Sequence, residues 1–116
     1  MKKILIIFLT FLFTTLSLAS DEKPGRFFED QPDVTDDYQI HFNYLLAADS
    51  KDGEMDINGK MEKILLKVNE VMLKATAKNK KGDGIARKYK FDYRADGKLD
   101  ITFVRMDKKK KELHKW

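Results

Sequence analysis

Cysteine is absent from the 116 residues of this chain. That single absence removes disulfide staples, thiol nucleophiles, iron–sulfur clusters and Cys-ligated zinc, so the fold must rest on apolar burial. Histidine occurs twice, as His41 and His114, and no HExxH stretch exists, which excludes the two-histidine helix face of a zinc protease. His41 falls on the more polar face of a strand pattern and reads as a satisfied structural histidine, while His114 sits in a charged tail. Serine beyond residue 19 is confined to Ser20 and Ser50, and neither lies in a GxSxG-like elbow, so a Ser-His-Asp hydrolase is excluded. The chain as written holds no catalytic constellation and no cofactor motif, and its length allows one small domain.

What is present begins with a leader. Lys2 and Lys3 form a positive start, Ile4 to Leu16 is an apolar run broken only by Thr10, Thr14 and Thr15, and Ser17-Leu18-Ala19 supplies small residues for cleavage after Ala19. Residues 1–19 therefore read as a secretory signal peptide. As an anchor helix the run from Ile4 to Leu18 reaches only about 22 Å, short of a hydrocarbon core of about 30 Å. The mature protein is expected in the periplasm or secreted, touching a membrane only through its leader during export.

Charge is unevenly distributed. Residues 21–56 carry 11 acids against 3 bases, whereas residues 57–116 carry 8 acids against 18 bases. The segment 20–37 holds both prolines, many acids and no apolar alternation, so it reads as an acidic extended arm. Phe27 and Phe28 are its exception, and docking onto the domain is the simplest role for two adjacent aromatics.

From Tyr38 the pattern changes. Tyr38, Ile40, Phe42, Tyr44 and Leu46 alternate with Gln39, His41, Asn43 and Leu45, which predicts a strand with one apolar face. Met61, Ile64, Leu65, Val68, Val71, Met72 and Ala75 recur at helical spacing opposite Lys60, Lys63, Lys67, Glu70, Lys74 and Lys78. This predicts an amphipathic helix over 60–77, entered through Asn58 or Gly59. Tyr89, Phe91 and Tyr93, then Asp96-Gly97, then Leu99, Ile101 and Phe103 predict a hairpin. The expected fold is a small α+β domain over 38–106, ordered strand-helix-strand-strand, with one long helix covering one sheet face and a basic tail over 107–116.

Glu54, Asp56, Asn58 and Gly59 copy the first positions of a calcium loop, but its twelfth position is Leu65 where a bidentate Glu is required. Turn and cap roles account for Asp56 and Asn58 equally well. Lys80-Lys81 and Lys108 to Lys111 supply positive charge beside the aromatics of the hairpin. Those aromatics are expected to face the core and the leader directs the chain to export, which favours a protein or anionic surface partner over nucleic acid.

Taken together, Tyr38 to Tyr44, the loop Asp49-Ser50-Lys51-Asp52, Asp56-Ile57-Asn58-Gly59 before a helix, and Asp96 to Arg105 resemble the N-terminal part of exported bacterial zincin-like proteins. The resemblance spans residues 38–106 and implies an upper subdomain that precedes a zinc-binding helix lacking in this chain; it transfers no functional residue. Two functions follow as expectations. One is an exported noncatalytic module that binds a partner through its sheet face or basic tail; the other is the leading subdomain of a secreted zincin-like metallopeptidase.

Overall fold

A computed structural model describes residues 21–115, so the predicted signal peptide lies outside the described residues. The chain is a small α+β protein built on a two-stranded parallel sheet of β1 (Phe42–Leu46) and β2 (Ile101–Arg105). Between them runs helix α1 (Lys60–Ala77), and after β2 comes a single turn, α2 (Lys110–Leu113). β1 and β2 pair in register from Phe42 opposite Ile101 to Leu46 opposite Arg105. Parallel neighbours need a long connection between them, and the segment containing α1 supplies it.

The predicted first strand is shorter than its alternation suggested. Its ladder with β2 begins at Phe42, whereas Ile40 forms an isolated bridge with Phe91, exchanging hydrogen bonds with Lys90 and Asp92. Tyr38 is fully exposed. The predicted hairpin is also only partly regular. Its turn is where expected, with Gly97 at φ 84° and Arg94 N–H donating to the Lys98 carbonyl, and Tyr93 bridges Leu99 in antiparallel fashion. The approach to that turn is pinned by side chains of α1 rather than by a ladder. Asn69 both donates to and accepts from the backbone of Tyr89, at 2.8 and 2.7 Å, and Thr76 Oγ1 accepts the Arg87 N–H at 2.7 Å. Backbone groups satisfied in this way have no need of a strand partner.

The core consists of Phe91, Leu99 and Ile101, with Phe42, Tyr44, Met61 and Leu65 packed against them. Phe42 meets Phe91 edge to face at 4.9 Å between centroids. Burial of each such side chain is worth roughly 1.5–3 kcal/mol. α1 occupies the predicted span, with Gly59 at φ 82° before it and Asn58 Oδ1 accepting the Lys60 N–H. Its inward face, however, is rotated from the expected one. Met61 and Leu65 reach the core and Asn69 is buried beyond them, while Ile64, Val68 and Val71 are exposed. The polar clips at Asn69 and Thr76 turn that side of the helix inward, and the apolar stripe is wider than the contact it makes.

The acidic arm touches the edge of the sheet through one bridge. Phe27 bridges Thr102, and its carbonyl accepts the Phe103 N–H at 2.8 Å, so β2 lies between β1 and the arm. Phe28 packs edge to face on Phe103 at 5.7 Å. The flanking position explains why Leu99 through Phe103 are all buried, polar residues included. The basic tail is likewise tied down: Lys110 N–H donates to Asp49 Oδ1 at 2.9 Å, and the Lys108 carbonyl accepts the Ala48 N–H at 2.9 Å.

Candidate functional site

Two clusters of charge lie in the interior, and the arm contributes to both. The first surrounds Arg26, whose side chain is fully buried. Its Nε and Nη2 donate to the two oxygens of Asp56 at 2.9 Å each, and its Nη1 and Nη2 donate to Asp52 at 2.7 and 3.2 Å. The guanidinium also stacks 3.9 Å from the centre of the Phe103 ring. Burial opposes its charge, yet the hydrogen bonds it donates to Asp56 and Asp52 prevail and hold its pKa above the usual arginine value. The Arg26 hydrogen bonds hold Asp52 below the usual carboxylate range.

This arrangement places the loop residues singled out from sequence. Asp56 has both oxygens engaged by Arg26. Asn58 donates to the Gly53 carbonyl and accepts the Lys60 N–H, a turn contact just ahead of the helix, whose N-cap is Gly59. Glu54 adopts φ 53° and its carbonyl accepts from Ile57 and Asn58, which closes the loop around the arginine.

The second cluster gathers Asp30, His41, Asp92 and Asp100, each bringing one ligand-type atom within 4.8 Å of all the others. Asp30 comes from the arm, His41 from the approach to β1, Asp92 from the segment before the turn and Asp100 from the residue before β2. His41 Nδ1 lies 2.8 Å from Asp92 Oδ2 and 3.5 Å from Asp30 Oδ1, and its Nε2 lies 2.8 Å from Thr102 Oγ1. Asp100 Oδ2 accepts the Gln31 N–H at 2.8 Å. Asp92 and Asp100 are 2% and 1% exposed, and the Oδ1 atom of each is buried with no hydrogen-bond partner. Burial pushes the Asp100 carboxyl up, against the lowering effect of the Gln31 N–H and of His41. Among the described residues, no lysine or arginine is paired with Asp30, Asp92 or Asp100.

The sequence of groups Thr102, His41, Asp92 reproduces the hydroxyl–imidazole–carboxylate order of a hydrolase triad, with a threonine where only serines were considered. Thr102 is buried, and its hydroxyl, 2.8 Å from His41 Nε2, fixes the plane and orientation of the His41 ring.

The sequence reads His41 as a satisfied structural histidine, and nothing local in it gathers the three aspartates around that ring. The available signal was an acid flanked on both sides by apolar residues, Phe91-Asp92-Tyr93 and Leu99-Asp100-Ile101. In a strand exposed on one face such acids point to water; here that face is covered.

A third feature is the outer surface of α1. Ile64, Leu66, Val68 and Val71 are 42–56% exposed in a groove that also includes Lys63, Lys67 and Glu70. Glu70 pairs with Lys67 and Lys74 at 2.9 Å each, which lowers its pKa to about 2. Tyr89 and Tyr93 are also exposed, so of the three hairpin aromatics expected in the core only Phe91 lies there. No described helix is long and apolar enough to cross a membrane. Comparison with known proteins returns no match: no family model fits the chain, and no curated protein and no solved structure resembles it significantly.

Proposed function

We propose that this is an exported, noncatalytic α+β module in which one side of α1 covers the sheet and the opposite side binds a protein partner. The observation that carries this reading is the exposed row Ile64, Val68 and Val71 on the longest element of the fold. A run of large apolar side chains at i, i+4 and i+7 on a solvent-facing helix is the pattern of a helix-groove contact. Lys60, Lys63, Lys67 and Lys74 lie along the same helix, so the matching partner presents an apolar strip with an acidic rim. The open sheet face expected from sequence is less suited, because Phe27, Asp30 and Gln31 of the arm engage β2 and Asp100.

Site-specific crosslinking tests this. A photoreactive residue at Val68 is expected to give one discrete heterologous adduct in the native envelope fraction. That adduct should weaken when Lys63 is changed to Glu and when salt is raised, while a probe at exposed Lys98 gives none. An adduct between two copies of the chain, or equal labelling from both positions, overturns the reading.

A second reading is favoured by the order β1, α1, β2, which fits the leading subdomain expected of a zincin-like hydrolase. A coding region that continues past Trp116 into an HExxH helix would establish it in place of the first.

A further inference from the structure

We propose that Asp30, His41, Asp92 and Asp100 form a binding site for a divalent transition cation, zinc or manganese. Four groups from four separated parts of the chain converge so that their ligand atoms lie within 4.8 Å of one another. A tetrahedral cation about 2.0–2.2 Å from each atom sets its ligand atoms about 3.3–3.6 Å apart, so side-chain adjustments of about an ångström complete the shell.

Three observations beyond the clustering point to a missing positive charge. Asp92 and Asp100 are almost wholly buried, and each has an Oδ1 that takes no hydrogen bond. Buried carboxylate oxygens are ordinarily satisfied, and an orphan calls for an ion or water. Three carboxylates face one imidazole, and no described lysine or arginine pairs with Asp30, Asp92 or Asp100. The Arg26 cluster of the same domain shows the opposite solution, with a guanidinium supplied to both acids.

The imidazole decides the kind of cation. Oxygen-only cages suit calcium and magnesium, whereas a nitrogen donor beside carboxylates suits zinc or manganese. Thr102 provides the outer support such a histidine needs. Its hydroxyl can donate to Nε2 when Nδ1 carries the proton, and can accept from Nε2–H when a metal takes the place of that proton on Nδ1. Binding at Nδ1 therefore moves the ring proton to Nε2 and leaves the ring in place. Entry is open from the solvent side, because the Asp30 side chain is largely exposed and His41 is partly so. Since Asp30 and Gln31 belong to the arm, an occupied site fastens the arm to the segment before β2.

The test is calorimetric titration of the purified, chelator-treated protein with zinc, manganese and calcium chlorides, with thermal unfolding followed in parallel. The expected result is one equivalent of zinc or manganese bound, a raised Tm, slower proteolysis within 27–37, and little response to calcium. Asp30→Asn, at an exposed position that leaves the metal-free fold intact, should weaken binding about tenfold or more. Asp92→Asn and His41→Gln should weaken it further, and His114→Gln should leave it unchanged. The proposal is overturned if no stoichiometric binding occurs, if Asp30→Asn and Asp92→Asn bind as the parent does, or if His114→Gln abolishes the signal. It is equally overturned if calcium binds and Asp56→Asn removes that binding, which would assign the ion to the loop of Glu54, Asp56 and Asn58.

Discussion

The Arg26 cluster and the His41 cluster both hold pairs of aspartates away from water, and the arm enters both, yet they balance their charge differently. Around Arg26, one planar guanidinium delivers two hydrogen bonds to Asp52 and two to Asp56. Around His41, two buried aspartates and a third at the rim share a single imidazole, and two carboxylate oxygens remain without a donor. Burying charge is costly unless it is matched and hydrogen-bonded. The first cluster is thus a finished structural joint, whereas the second is the one for which a bound cation is proposed. Neither cluster can be judged by counting acids; the difference lies in which donors the fold brings to them.

The sharpest way to break this comparison is Arg26→Met. It strands Asp52 and Asp56 without a cation and should cost about 3–5 kcal/mol, read by urea unfolding of the two proteins side by side. Adding Asp52→Asn and Asp56→Asn to that variant should recover part of the loss. If Arg26→Met unfolds at the same urea midpoint as the parent, the cluster is not the joint described.

A smaller effect is expected from Asp52→Asn, about 1–2 kcal/mol at pH 7 from weakened hydrogen bonds to a charged donor. Its pH dependence carries the sign. Because Arg26 lowers the folded-state pKa of Asp52 below the ordinary 3.8, the stabilisation is complete above that value and is lost as pH falls through the lowered one. The stability curves of parent and variant should therefore converge only at the acid end, in unfolding titrations run from pH 7 to pH 2. Convergence at neutral pH instead would show that Asp52 is not ionised against Arg26.

The smallest change is expected from Asp100→Asn in metal-free protein. The amide keeps an acceptor for the Gln31 N–H and removes one negative charge from a cluster with too many, so stability should stay within about 0.5 kcal/mol of the parent or rise. A loss as large as that of Arg26→Met, measured in the same urea series with chelator present, would mean that Asp100 already has a matched partner.

How far the fold could be read from sequence follows the reach of each interaction. α1 was legible because helix-forming residues run unbroken from Lys60 to Ala77 between Gly59 and Asn79. The turn at Asp96-Gly97 was legible because a positive φ asks for glycine. Phe42 to Leu46 alternates as a half-buried strand should. What escaped depends on partners far along the chain. Nothing near Tyr89 announces that Asn69 will take its backbone hydrogen bonds, and that exchange rotated the helix and shortened the hairpin strand. Arg26 drew no notice in a polar arm because its acids are 26 and 30 residues away. His41 could be placed on the polar face of its strand, but not that the face would be roofed by Asp30 and Gln31.

The pairing of the arm with the last strand also sets the order in which this fold can form. Gln31 reaches Asp100 across 69 residues, and Asp21 holds Arg105 across 84. Contacts so distant along the chain close large loops before they return any stabilisation, and they slow folding accordingly. α1 can begin to coil from its own residues, but the two-stranded sheet waits for the residues around Thr102. Until that strand arrives Phe27 and Gln31 lack their partners, while Arg26 can already tie the arm to Asp52 and Asp56.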